Sequence, residues 1–285
     1  MARSRALRAG SRPARPIRLR AARPRRRAGW RLPARRLLVA FLAAPLAVRL
    51  AVATVLLVAV WSAANWIYQV ARKPTELFFP VSGALSKTPA ETWSSYGRLF
   101  RVHSTAVIGP ELLAALAQVE GAGNPVARTY WRWRLSLNPF EVYRPASSAV
   151  GMYQITDPTF REARRYCIHG HVVVEAGRWH DPRSCWFNAL YTRVVPSHAV
   201  EMTAALLDRQ VADALARHGI AVATLAQKQD LAALIHLCGA GAGDAYARRR
   251  FRLAPGQRCG DHDAAAYLAR VNGMKRVFAR LAAAG

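Results

Sequence analysis

Glu120 closes an apolar run, residues 112–119, and is followed by Gly121-Ala122-Gly123-Asn124-Pro125. The run reads as a buried helix over residues 110–120, with Gly121 and Gly123 as its stop signals. A carboxylate in that place meets the negative end of the helix macrodipole, with few cations close by in sequence. Burial and the dipole both disfavour the ionised form, so its pKa is expected to rise. A carboxyl held protonated in this way suits general acid chemistry wherever it faces a cleft. Taken alone, a Glu at a helix end is more often a salt-bridged surface group.

A second informative stretch, Gly151-Met152-Tyr153-Gln154-Ile155-Thr156-Asp157-Pro158-Thr159, follows the small residues Ser147-Ser148-Ala149-Val150. It reads as a loop-to-helix join, the helix covering residues 157–166 with Asp157 as N-cap and Pro158 in the first turn. Further helices are expected over 184–194, 197–218, 224–238 and 263–281, with Pro196 between the first two and Gly219 ending the longest. Val172-Val173-Val174 is the only β-rich run, and no convincing strand pair stands out. The chain therefore reads as mainly α, with little or no sheet.

The flanks set where this domain works. The chain holds 42 Lys+Arg against 16 Asp+Glu. Fourteen of the arginines fall in residues 1–36, which carry no acidic residue and few large apolar ones. That segment reads as a disordered tail. Residues 37–68 are apolar, broken by Pro45 and Arg49, and the 19 residues 50–68 match roughly the ~20 needed to cross a bilayer. Trp61, Trp66 and Tyr68 sit at the far end, as an interfacial aromatic belt would, and Arg49 sits where it can snorkel to the headgroups. Arginine-rich segments stay on the cytoplasmic side, so the tail is expected in the cytoplasm and the rest of the chain outside it. A cleaved leader is the competing reading, since Ser62-Ala63-Ala64 resembles a cleavage site and Arg35-Arg36 a twin-arginine start; the long charged region favours an uncleaved anchor. Residues 69–103, with Pro74, Pro80 and Pro89, read as a linker to a domain over 104–285. The four cysteines, Cys167, Cys185, Cys238 and Cys259, all lie in that domain. Spacing favours two local disulfides, Cys167–Cys185 and Cys238–Cys259, if the domain is exported.

Taken in order, these stretches resemble the lysozyme-like lytic transglycosylases, specifically the soluble lytic transglycosylase (SLT) catalytic domain. That family places a catalytic Glu at a helix end with a frequent Asn-Pro shortly after, matched by Glu120 and Asn124-Pro125. Its Gly-Leu-Met-Gln-hydrophobic-x-Pro-x-Thr motif is matched by residues 151–159, with one residue extra before the proline. Its Tyr-Asn-Ala-Gly-x-Gly signature aligns with Cys238-Gly239-Ala240-Gly241-Ala242-Gly243, and its final Tyr with Tyr267, four residues before Val271. The resemblance spans about 109–281. It departs in three places: Gly121 stands where the family usually has Ser, the third motif lacks its Tyr and Asn, and 34 residues separate Glu120 from Gln154. The longer interval carries Tyr130, Trp131, Arg132, Trp133, Arg134, Phe140, Tyr143 and Arg144.

The resemblance implies a lysozyme-like α+β domain behind one transmembrane helix, held at the bacterial inner membrane with its N-terminus cytoplasmic and the domain periplasmic. It implies cleavage of the MurNAc–GlcNAc β-1,4 bond of peptidoglycan glycan strands with 1,6-anhydro-MurNAc formed. Glu120 is the implied acid/base, and Gly151, Met152, Tyr153, Gln154, Asn124 and Tyr267 the implied sugar-binding residues. Trp131 and Trp133 are expected to add a cleft wall by stacking on sugars, though packing within the insertion accounts for such aromatics equally well. Glu141, Asp157 and Glu162 are the nearest carboxylates for a hydrolase of the two-carboxylate type. No cofactor is expected. A zinc site among Cys167, His169, His171, His180 and Cys185 has non-standard spacing, and export favours the disulfide, so no metal is expected. A lysozyme-type hydrolase and a non-catalytic peptidoglycan-binding or secretion-assembly protein are the alternatives. The tail offers a secondary contact to anionic lipid, and no nucleic-acid partner is expected, because a membrane span separates tail from domain.

Overall fold

The computed structural model describes residues 34–178 and 180–284. The tail expected over 1–36 lies outside the described residues, except that Ala34, Arg35 and Arg36 begin helix α1 (Ala34–Ala43). Pro45, which has no amide hydrogen, separates α1 from α2 (Leu46–Arg72). By length and composition α2 can cross a membrane. It extends four residues beyond the expected span at each end. The chain divides into two compact units between Ala59 and Val60, and the candidate chemistry lies in the second.

Residues 69–103 are packed structure rather than a linker. A 3₁₀ turn (Pro74–Phe78), the short helix α3 (Phe79–Ser82), a second turn (Gly83–Leu85) and α4 (Pro89–Val102) follow one another. The prolines that suggested a loose segment instead start helices, where a missing amide hydrogen costs nothing. At α4 the Thr88 hydroxyl accepts from the Glu91 amide while the Glu91 carboxylate accepts from the Thr88 amide, a capping box. Phe100 and Thr92 are fully buried, and α4 lies against α5 and α10.

Helix α5 (Pro110–Gly121) is central: all six residues from Leu112 to Ala117 are buried. Three of them are alanines, which leaves room for α4, α7 and α10 to pack on it. Around it come α6 (Asp157–Ala163), α7 (Pro196–Arg217), α8 (Leu225–Cys238), α9 (Ala240–Arg248) and α10 (Ala264–Ala283). Pro196 opens α7 rather than preceding it, and the helix expected over 184–194 shrinks to a 3₁₀ turn, Trp186–Leu190. Helix α9 was not expected from its glycines. Gly243 faces Ile235 and Leu231 of α8 with no room for a Cβ, so its lack of a side chain permits the contact.

Among the described residues, three two-stranded antiparallel ribbons correct the expectation of no strand pair. They are β1 (Trp131–Trp133) with β2 (Tyr143–Pro145), β3 (Tyr166–His169) with β4 (Val172–Glu175), and β5 (Arg258–Cys259) with β6 (His262–Asp263). Strands of two to four residues are too short to show an alternation in sequence. Both cysteine pairs sit at disulfide distance, Cys167–Cys185 with Cα atoms 5.4 Å apart and Cys238–Cys259 with 5.3 Å.

The end of α5 is tightly constrained. Ala122 turns left-handed (φ 48°), and the amides of Ala122 and Gly123 donate to the carbonyls of Gln118 and Ala117, each at 3.0 Å. Gly121 presses on the second motif, where an added Cβ would lie 2.8 Å from Met152 Cα and 2.9 Å from its carbonyl oxygen. Backbone on both sides cannot yield cheaply, which gives a physical reason for glycine where the resembling family has serine. Gly121→Ser should therefore cost ~2 kcal/mol and lower Tm by roughly 5 °C. Gly241→Ser, where a Cβ meets nothing within 4 Å, should not lower it. Equal melting of the Gly121→Ser variant and the unaltered protein would contradict the packing account.

Candidate active site

Glu120 lies in the last turn of α5 and opens, with its side chain 18% exposed, onto a cavity of about 540 Å³. Gln154, His236, His262, Tyr267, Tyr130, Arg128, Arg132 and Arg270 share its lining. Among the described lining residues Glu120 is the one carboxylate, against three arginines and two histidines. Such a surround favours an anionic ligand.

Tyr267, one turn into α10, donates its hydroxyl to Glu120 Oε1 at 2.5 Å. Burial, reinforced by the adjacent Glu120 charge and this hydrogen bond, pushes the Tyr267 phenol well above its ordinary pKa. It therefore remains a proton-bearing donor at any pH the protein meets. His236 Nε2, in the last turn of α8, stands 4.0 Å from the same carboxylate oxygen. Polar partners for Glu120 are thus supplied in space by other elements.

The second motif folds as a tight turn. Val150 and Ile155 exchange amide–carbonyl bonds at 3.2 and 3.0 Å, and the Gln154 amide donates to Gly151 at 3.0 Å. Gly151 needs its positive φ of 81° and has no space for a side chain against the carbonyls of Arg193 and Pro125. Gln154 is held left-handed (φ 47°), with its side-chain amide donating to the carbonyls of Ala127 and Gly151. A non-glycine residue in this region carries strain, which recurs at functional positions. Arg193, which no motif marked, fastens the turn by donating to the carbonyls of Ser148 and Ile155, each at 2.9 Å, and pairing with Asp157 at 2.8 Å. Asp157 is thus not the N-cap of α6. Thr156 holds that position without a side-chain cap bond.

Of the residues expected to contact sugar, Gln154 and Tyr267 line the Glu120 cavity, and the others serve the framework. Met152 and Tyr153 are fully buried, the Tyr153 hydroxyl donating to the Leu113 carbonyl at 3.1 Å. Asn124 is buried, donating to the Ser82 carbonyl and accepting from the Val126 amide. Trp131 and Trp133 are turned away by strand alternation. Trp131 Nε1 donates to Glu76, and Trp133 stacks on Trp61 with ring centroids 6.2 Å apart. Their neighbours Tyr130 and Arg132 face the cavity instead. The three candidate second carboxylates lie elsewhere. Glu141 pairs with Arg72 and Arg144, Asp157 pairs with Arg193, and Glu162 accepts from Gln210 beside an adjoining cavity of about 330 Å³.

The Cys238–Gly243 stretch is braced by a cross-link. The Cys238–Cys259 pair ties the end of α8, two residues beyond His236, to the β5–β6 ribbon. That ribbon brings His262 to the cavity, and Asp263 caps α10 by accepting from the Ala266 amide at 2.8 Å. One cross-link therefore orders three elements that carry lining residues. Converting both Cys238 and Cys259 to serine should cost about 3 kcal/mol from loop closure, read as lower denaturant resistance. An unchanged urea midpoint would contradict the role given to this pair. No family model, curated protein or solved structure matches the chain.

Proposed function

We propose that this protein is a membrane-anchored lytic transglycosylase that cleaves the MurNAc–GlcNAc β-1,4 bond of peptidoglycan, with Glu120 as sole acid/base on a lysozyme-like domain. The observation that carries the reading is the pairing of Glu120 with Tyr267 in a cavity with no second carboxylate among its described lining residues. Two motifs, 147 residues apart in sequence, converge on one hydrogen bond.

In this mechanism Tyr267 occupies Glu120 Oε1, which leaves Oε2 to carry the proton. Glu120 gives that proton to the glycosidic oxygen as the C1–O bond breaks and the bond pair passes to the departing sugar. The substrate's own N-acetyl group stabilises the oxocarbenium-like centre, so a second carboxylate is not required. Glu120, now ionised, removes the proton from the muramic acid 6-hydroxyl. The O6–C1 bond forms, the anhydro ring closes and the acid is regenerated. Arg132 and Arg270 supply positive charge for the carboxylates of a stem peptide. The span-length helix α2 and the two cysteine pairs support an N-in anchor with the domain in the oxidising periplasm.

Glu120→Gln keeps the shape and the Tyr267 hydrogen bond but removes the transferable proton. Its rate of muropeptide release from purified sacculi should fall by about 10²–10⁴-fold, with sacculus binding retained. Tyr267→Phe should lose roughly tenfold, the worth of a hydrogen bond to a charged group. Wild-type rates in Glu120→Gln would sink the proposal, and binding without turnover in the unaltered protein would favour a non-catalytic wall-binding role.

A further inference from the structure

Helix α2 does not end in solvent. Its residues Trp61, Asn65, Gln69 and Arg72 form one stripe, spaced by three or four positions, along the loop between β1 and β2. Trp61 Nε1 donates to the Pro139 carbonyl at 3.2 Å, Asn65 to Tyr143 at 2.7 Å and Gln69 to Phe140 at 2.6 Å, while Arg72 pairs with Glu141 at 3.3 Å. The base of the hairpin is fixed by a buried ionic knot. Glu76, fully buried, takes Lys73 at 3.3 Å, the Trp131 indole at 2.9 Å and Arg128. Burial lowers the Lys73 pKa against the opposing charge of Glu76. The hairpin is therefore rigidly held to this part of α2.

Its tip carries Leu135 and Leu137, which are 101% and 106% exposed, beside Trp133 at 68%. Arg132 and Arg134 flank them. Burying none of two neighbouring leucines is unusual for a fixed, hydrogen-bonded loop.

Helix length decides what covers them. Residues 46–60 of α2, before the stripe begins, span on the order of 22 Å. A hydrocarbon core of ~30 Å needs ~20 residues. Counted from Leu46, the core reaches about Asn65; counted from Leu50, past Arg49, it reaches about Gln69. Either count carries Trp61 below the membrane surface, and the loop bonded to Trp61 goes with it. The side-chain amide groups of Asn65 and Gln69 donate to hairpin carbonyls, while Asn65 Oδ1 is buried without a hydrogen-bond partner. The patch also continues onto Trp66 and Ile67, exposed on α2 itself.

We infer that the β1–β2 tip is a second membrane contact, with Leu135 and Leu137 inserted among acyl chains, Trp133 at the interface and Arg134 level with anionic headgroups. The inference rests on the reading that α2 crosses the bilayer. Because Tyr130 and Arg132 of the same hairpin line the Glu120 cavity, the cavity is held next to the membrane surface.

All four native cysteines are paired, so a single introduced cysteine can be labelled specifically. The full chain would carry Leu135→Cys, Leu137→Cys, Val55→Cys or Val222→Cys, labelled with an environment-sensitive fluorophore. Each would be reconstituted into phosphatidylethanolamine–phosphatidylglycerol vesicles with and without acyl-chain nitroxides. Labels at 135 and 137 should be quenched about twofold or more by the nitroxides, as should 55, while 222 on an exposed loop should not. Quenching at 55 but not at 135 and 137 overturns the inference and leaves the span intact. Labels at 135 and 137 shielded from water yet unquenched point to a protein partner and also overturn it. An unquenched label at 55 removes the span and the inference with it.

Discussion

The close approach of the α5 end to the turn around Gly151 is the constraint on which the rest of the site depends. A buried helix must deliver its last carboxylate to a cavity wall while its orphan carbonyls are satisfied and its neighbours remain packed. Gly121 against Met152 permits the approach, Ala122 and Gly123 close the helix, and Asn124 pins the exit to Ser82. With α5 fixed in this way, Tyr267 from α10 and His236 from α8 reach one oxygen of Glu120. The strained or side-chain-free positions Gly121, Ala122, Gly123, Gly151 and Gln154 lie together at this one junction.

The insertion between the two motifs has a face for each neighbour. Tyr130 and Arg132 face the cavity, while Trp131 and Trp133 hold the hairpin to residues 61–76. Burying Glu76 with two cations and an indole is expensive unless every partner is in place. That cost makes the knot a fixed joint rather than a sliding contact. Cavity wall and residues 61–76 are therefore mechanically one piece.

Much of the framework was legible because it follows local rules. Pro110, Thr224, Pro45 and Asp263 mark element ends as the sequence suggested, and each cysteine pair closes a short local loop. Glu120, Gln154 and Tyr267 could be picked out by motif order and do share a cavity. What stayed hidden depends on direction. A three-residue strand does not announce which of Trp131 and Arg132 points inward, and Met152, Tyr153 and Asn124 look alike in sequence whether buried or exposed. Residues 69–103 looked loose because prolines start helices as readily as they end segments. Two features of the sequence do carry directional information. Arg270 lies three positions after Tyr267, on the same helix face. The polar stripe Asn65, Gln69, Arg72 in an apolar helix marked a face needing protein partners.

The central claim is that a lone carboxyl transfers one proton out and one back, with the substrate's own hydroxyl as nucleophile. The product's reducing end reports this directly, since ring closure leaves a muropeptide one water lighter than hydrolysis does and inert to borohydride. Mass spectrometry of muropeptides released from sacculi by the full-length protein should show 1,6-anhydro ends that borohydride does not reduce. Reducible, hydrated ends would contradict the account and place a water, activated by some second group, where the 6-hydroxyl is proposed to attack.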